Sequence, residues 1–135
     1  SSIQVFNQYV NKFPEDVFGY YMIGKANAGI DSTGELGLAV PSYQKVMEIG
    51  EKAPDVTKVK DQLLGTYKFF IEYYYNVKKD QATALQYADK ALALDPADAQ
   101  LIANRDFISK NNPNTPPKKP ATPKPPVKPK TPSKK

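Results

Sequence analysis

Hydrophobic side chains recur every three or four residues along most of the first 110 positions, which is the spacing of an amphipathic helix. The alternation of apolar and polar residues that is typical of strands is poorly represented. Prolines, glycines and aspartates interrupt the helical pattern and mark turns. The pattern predicts an all-α chain of about six helices joined as antiparallel hairpins, covering residues 1–13, 17–28, 41–53, 57–77, 81–94 and 97–110.

The fourth predicted helix has the most unusual content, six aromatic residues between positions 67 and 75. A helix turns every 3.6 residues, so these six side chains cannot share one face. The residues on the face predicted to meet the core are Tyr67, Phe70, Ile71, Tyr74 and Tyr75. Phe69 and Tyr73, four residues apart, point elsewhere.

The charge of the chain divides it into two parts. The formal net charge is +5, from 19 basic and 14 acidic residues. Residues 113–135 contain seven lysines, no acidic residue and nine of the 13 prolines, so their charge is +7 and that of residues 1–112 is −2. A segment of this composition cannot bury enough apolar surface to fold, and it samples polyproline II. We therefore predict a folded body, residues 1–112, followed by a disordered Pro/Lys-rich tail, residues 113–135.

Candidate catalytic chemistry is sparse. Histidine, cysteine and tryptophan are absent, which excludes disulfides, histidine or cysteine nucleophiles, and zinc sites built on sulfur or imidazole. The glycine-rich segment 29–37 has neither the lysine nor the preceding strand of a phosphate loop, so we predict a plain helix connector. We predict that the chain is not an enzyme and has no cofactor and no metal site. The acidic residues at the turns have a simpler role as helix caps, and they are Asp16, Asp55, Asp80, Asp95 and Asp98.

The compartment stays open. No apolar run reaches the roughly 20 residues of a transmembrane helix, and no signal peptide is visible. Because the first residue is not methionine, we expect a processed chain or a piece of a longer one. The absence of cysteine is compatible with the bacterial periplasm and with the cytoplasm.

Residues 84–96 resemble the second helix of a tetratricopeptide (TPR) repeat, with Ala84, Ala88 and Ala91 at its small positions and Pro96 at its end. Residues 20–24 and 43–54 are similar to the first and second helices of the same family. The resemblance implies a right-handed solenoid of stacked hairpins: a half repeat at 1–14, repeats at 15–54 and 55–96, and a capping helix at 97–110. It also implies a C-terminal part of a longer array, because residues 1–14 look like a second helix without its first.

Two features depart from the 34-residue unit of that family. The prolines that end the units, at positions 14, 54 and 96, are 40 and 42 residues apart. The first unit is therefore longer than 34 residues by about the glycine-rich connector, and the second is longer because its first helix, the fourth predicted helix, is extended. Glu72 stands where the first helix of the family has a glycine. In an alternative register, Leu64 and Gly65 take the family's leucine–glycine pair.

The same resemblance implies a concave groove, lined by the first helices, that binds extended peptides or partner helices. The corresponding positions here are Phe18, Tyr21, Lys25, Thr66, Phe69, Tyr73 and Asn76. The clamp with which some TPR co-chaperones hold a C-terminal carboxylate is missing, since Tyr21, Phe69 and Phe70 replace its polar residues. An alternative is that these aromatic residues contact a missing repeat or a second copy of the chain.

The sequence therefore predicts a non-catalytic protein–protein interaction module, a helical-repeat scaffold whose aromatic groove binds a peptide or partner helix. The alternative is a structural or surface-tethering protein whose basic tail binds an anionic surface or a polyproline-reading partner, since residues 117–120 and 126–129 fit the PxxP pattern. Specific nucleic-acid binding is not expected, because the tail contains no arginine or aromatic residue to read or stack on bases.

Overall fold

A computed structural model describes residues 1–116, and all regular structure in that part of the chain is helical. The prediction of an all-α body with six helices is confirmed there, and no strand occurs among these residues. Most of the tail predicted to be disordered lies outside the described residues, but its first residues, 113–116, are described and form a turn. The helices are α1 (Ser2–Lys12), α2 (Val17–Ile30), α3 (Val40–Gly50), α4 (Lys60–Glu72), α5 (Gln81–Leu94) and α6 (Ala99–Lys110).

Aspartate side chains begin four helical segments. The Asp16 carboxylate accepts a hydrogen bond of 2.9 Å from the backbone at the start of α2, and Asp98 accepts two, of 3.0 and 3.1 Å, at the start of α6. In the same way, Asp55 caps the helical turn before α4, and Asp80 caps the start of α5. These bonds satisfy N–H groups that have no partner in the first turn of a helix. Asp95, for which a cap was also predicted, instead follows the last residue of α5.

The fourth predicted helix is helical throughout, but it changes type along its length. A 3-10 turn (Val56–Val59) precedes α4, and a π-helical turn (Tyr73–Val77) follows it. In the π turn, the N–H of Lys78 donates to the carbonyl oxygen of Tyr73 at 3.1 Å. Lys79 then has a φ of 54°, in the left-handed region that residues other than glycine seldom adopt. Turns of the π type are frequent at functional sites.

The core is centred on α4. Each α-helix contacts the next one along the chain, and α2 also contacts α4. Three alanines of α5, Ala84, Ala88 and Ala91, are at most 1 % exposed and belong to the same core cluster as Tyr67 and Ile71 of α4. Their small side chains let α5 come close to α4, so the small-residue positions read from the sequence are core positions.

Two glycines permit close contact between helices. A Cβ at Gly24 of α2 would lie 2.9 Å from the ring of Tyr43 in α3, and a Cβ at Gly65 of α4 would lie 2.8 Å from the ring of Tyr21 in α2. Contacts this short do not occur at real Cβ atoms, so any larger residue forces the neighbour to move. Glu72, in contrast, is exposed. The close contact of α4 is therefore at Gly65, the glycine of the alternative register.

Candidate functional site

A groove runs along the exposed side of α4, between the connector that follows α2 and the helix α6. It consists of three adjoining cavities of about 410, 450 and 160 Å³. Glu72 lines all three cavities, Asn76 lines the first and third, and Asn104 lines the second and third. Because the cavities share these residues, they adjoin along the exposed side of α4, and together we call them the α4 groove.

The connector between α2 and α3 forms one wall of the α4 groove. Asp31 is only 7 % exposed, and its carboxylate accepts hydrogen bonds of 3.3 Å from the backbone N–H groups of Leu36 and Leu38. Gly34 has a φ of 77°, which glycine adopts without steric cost. The segment predicted to be a plain connector is thus held in a defined shape. The connector residues that line the groove are Asp31, Ser32, Thr33 and Gly34.

Phe69 and Tyr73 form the aromatic wall of the α4 groove. Their rings are stacked, with centroids 5.8 Å apart and an interplanar angle of 14°. On its other side Phe69 lies 4.6 Å, centroid to centroid, from Tyr43 of α3. Burial raises the pKa of Tyr43 to about 12, and the nearby Tyr21 adds to the rise, so Tyr43 is neutral at physiological pH. Phe69 and Tyr73 are half-buried, so the core holds part of each ring and the groove receives the rest.

Four of the other lining residues are polar and exposed. Glu72, Asn76, Gln100 and Asn104 are exposed, and none of their side chains makes a hydrogen bond or ion pair within residues 1–116. A side-chain amide carries two donors and an acceptor, so these amides have bonding capacity to offer a ligand. The nearby ammonium group of Lys68 is already paired, 3.5 Å from Asp98. Glu72 therefore gives the middle of the groove a negative charge.

Three of the seven residues predicted from the sequence meet in the α4 groove: Phe69, Tyr73 and Asn76. Thr66 does not. Its side chain is 0 % exposed, on the inner face of α4, so a partner cannot touch it in this structure. The physical reason is that α4 has neighbours on several sides, with α2, α3 and α5 all contacting it. This burial corrects the predicted site.

The structure also places the α2 residues away from the α4 groove. Phe18, 43 % exposed, lies edge-on to two aromatic rings of α1, with centroid distances of 6.1 and 6.3 Å. The ring of Tyr21 covers Gly65 and fills the space between α2 and α4. The Lys25 ammonium lies 5.7 Å from the centroid of the Tyr21 ring. None of these three side chains lines the three cavities of the groove.

Sequence reasoning missed Glu72, Asp31 and Asn104. A signal for Glu72 was present, because positions 69, 72, 73 and 76 share one helical face by their three- and four-residue spacing. Asn104 belongs to the helix to which only a capping role was assigned. No local pattern indicates that α6 lies beside α4, because that contact joins residues about 30 positions apart.

A larger cavity, of about 750 Å³, lies elsewhere, between the turn before α2 and the turn after α3. Several of its charged groups already have partners. Lys45 pairs with Glu48 at 3.4 Å, and Asp16 caps α2 and accepts a hydrogen bond of 2.6 Å from the Tyr9 hydroxyl. The α4 groove combines the stacked rings of Phe69 and Tyr73 with side-chain amides that make no hydrogen bond within residues 1–116, and we take it as the candidate site.

No family model, curated protein or solved structure matches this chain. In the described part of the chain, no three acidic side chains are grouped so that they could hold a metal ion. None of the helices described between residues 1 and 116 is both long enough and apolar enough to cross a membrane.

Proposed function

We propose that the chain is a non-catalytic interaction module whose helices are arranged as a TPR-like right-handed solenoid. The contacts between successive helices, the contact of α2 with α4 and the buried alanines of α5 support this arrangement. Stacked repeats of this kind present an extended concave surface lined by alternate helices. The helices α4 and α6, which both line the α4 groove, are alternate helices in the chain order.

The α4 groove is the proposed binding site, and its ligand is an extended peptide segment of a partner protein. The observation that carries this proposal is the combination of amides without partners and an aromatic wall. Asn76 and Asn104 can each donate to a carbonyl and accept from an N–H group, which are the two groups that an extended backbone exposes. The exposed parts of the Phe69 and Tyr73 rings offer an apolar surface to one side chain of the peptide.

The size and charge of the groove define the peptide further. Packed helix axes lie 8–10 Å apart, so the distance from α2 across α4 to α6 is roughly 20 Å. An extended chain rises about 3.3 Å per residue and covers that distance in about six residues. Because Glu72 has no ion pair within residues 1–116, we expect a lysine or arginine beside it. The expected ligand is a peptide of about six residues with an aromatic or aliphatic residue next to a basic one.

Selection from a random peptide library against the full chain, followed by calorimetric titration, tests the proposal. We expect micromolar peptides whose binding is weakened about fivefold by Asn76→Ala or Asn104→Ala, because loss of a hydrogen bond costs about 1 kcal/mol. The matched controls are Gln44→Ala and Gln86→Ala, which remove exposed amides of α3 and α5 outside the groove. Peptides that bind the groove variants and the control variants equally well would contradict the proposal.

A second candidate function is carried by the tail. Its seven lysines follow a segment that is attached to the body, since the side chain of Asn114 donates to the carbonyl oxygen of Lys79 at 2.8 Å. Each lysine near an anionic membrane contributes about 1 kcal/mol, and salt weakens this attraction. Sedimentation with anionic vesicles, compared between the full chain and a variant with glutamine at all seven lysines, tests this function. Binding that does not depend on these lysines would contradict it.

A further inference from the structure

The tail has a regular period that matches polyproline II. From position 117 to position 132 every third residue is proline: Pro117, Pro120, Pro123, Pro126, Pro129 and Pro132. Polyproline II has three residues per turn, so in that conformation the six prolines share one edge. Six of the seven lysines lie at the other two positions of this three-residue repeat. In that conformation the segment is therefore amphipathic, with an apolar edge flanked by ammonium groups.

The chain enters the tail beside the α4 groove. After α6 the backbone is attached to the end of the α4–π-turn segment, because the Tyr75 hydroxyl donates to the carbonyl oxygen of Asn111 at 2.7 Å. The side chain of Asn114 then donates to the carbonyl oxygen of Lys79 at 2.8 Å. Lys79 follows the π turn, which also contributes residues to the groove. Pro116, the last described residue, is thus held close to one end of the groove.

The α4 groove offers a partner to each part of such a segment. The half-buried rings of Phe69 and Tyr73 stack on each other, and their exposed edges give proline rings an apolar surface, as in the aromatic-lined grooves that bind polyproline II. Prolines lack the N–H group but keep the carbonyl, so the groove asparagines can donate to them. Glu72 provides a carboxylate for a lysine at the edge. The Lys78 ammonium lies 5.7 Å from the centroid of Tyr73, so this ring already has a cation over its face.

We propose that residues 117–135 occupy the α4 groove of their own chain and compete there with external peptides. This inference rests on the proposed function of the groove as a peptide-binding site. Nineteen residues at about 3.1 Å each reach roughly 60 Å, well beyond the roughly 20 Å of the groove. The tether gives the tail an effective concentration on the order of 1 mM, so docking with a Kd of about 1 mM fills half of the grooves. A peptide of micromolar affinity then displaces the tail.

Paramagnetic relaxation measured by NMR on the full chain tests the inference. The chain has no cysteine, so Ser133→Cys provides one site for a nitroxide label at the end of the tail. We expect enhanced relaxation at the amides of Tyr73, Asn76 and Asn104 and none at Gln44 and Gln86, which lie outside the groove. A tail variant tests the role of the proline period while keeping all seven lysines; its substitutions are Pro120→Ala, Pro123→Ala, Pro126→Ala and Pro129→Ala.

The outcomes are distinct. Relaxation confined to the groove and lost in the proline variant supports the inference. Relaxation spread over the whole surface, or confined to the groove but unchanged in the proline variant, overturns it. Relaxation of an unlabelled isotopic copy mixed with the labelled chain shows docking between copies and also overturns it. The readout needs no external peptide, so failure of the proposed function leaves this result intact. If both proposals hold, an external peptide binds the proline variant about twofold more tightly than the unaltered chain.

Discussion

Replacing Thr66 by valine removes a hydroxyl group that is buried without a hydrogen-bond partner among residues 1–116. The side chain is 0 % exposed, and its Oγ1 is the unsatisfied atom. A buried polar group without a partner costs about 1–3 kcal/mol, and valine has nearly the same shape and helix propensity as threonine. We therefore expect Thr66→Val to raise the free energy of unfolding by about 1–2 kcal/mol. Urea denaturation followed by circular dichroism measures the change.

Thr83→Val is the matched control for Thr66→Val. The Thr83 hydroxyl donates to the Asp80 carboxylate at 2.6 Å, so the same substitution there should lower the free energy of unfolding by about 1 kcal/mol. The pair also tests the corrected site, because Thr66→Val should leave peptide binding unchanged. A loss of stability in Thr66→Val would show that its hydroxyl has a partner, and a loss of peptide affinity without a loss of stability would return Thr66 to the groove.

The remaining predictions concern a close contact, a strained turn and a helix cap. Gly65→Ala should lower the free energy of unfolding by about 1–3 kcal/mol, because the added Cβ meets the ring of Tyr21. In a double-mutant cycle with Tyr21→Ala, the double variant should be more stable than the sum of the two single effects, because the ring that the Cβ meets is gone. Effects that simply add would refute the contact. Lys79→Gly should stabilise the folded chain by about 1 kcal/mol in thermal denaturation, because φ is 54° at Lys79 and glycine adopts a positive φ without steric cost. Lys78→Gly is the control: φ is −81° there, so glycine relieves no strain and should destabilise the chain. Hydrogen bonds from the backbone of α6 lower the pKa of Asp98 below its ordinary value of 3.8. The ionised carboxylate therefore stabilises the folded chain above pH 3.8, and this contribution is lost as the pH falls through the lowered pKa of the folded state. The difference in urea midpoint between the unaltered chain and Asp98→Ala should therefore shrink on acidification from about pH 7 to about pH 3, and a constant difference would refute the role of this carboxylate.

The helices could be predicted because their signals are local. An apolar period and a capping aspartate lie within a few positions of the residues they control, as at Asp16 and Asp98. The type of helix at residues 56–59 and 73–77 could not be read in this way. Helix type there depends on how α4 meets its neighbours, and a residue such as Lys79 at positive φ contradicts its own local preference.

The candidate site was predicted only in part. Phe69 and Tyr73 were singled out because six aromatic residues in one short segment exceed what a single face can bury, and the resemblance to the TPR family added Asn76 and implied a groove. Thr66 was included because the resemblance carried over its position in the helix, and a position in a helix does not show which neighbour covers it. The remaining groove walls come from Asp31 in the connector and Asn104 in α6, which are far from α4 in the sequence.

Three properties can be predicted from the amino-acid sequence alone: an all-α body with a net charge of −2, the turns between its helices, and a separate basic segment rich in proline. These properties follow from composition and from periods of three to four residues, which need no knowledge of distant contacts. Which face of α4 stays open depends on its tertiary contacts. Burial is a property of neighbours in space: α2, α3 and α5 contact α4 and Thr66 is buried, whereas Glu72 stays exposed.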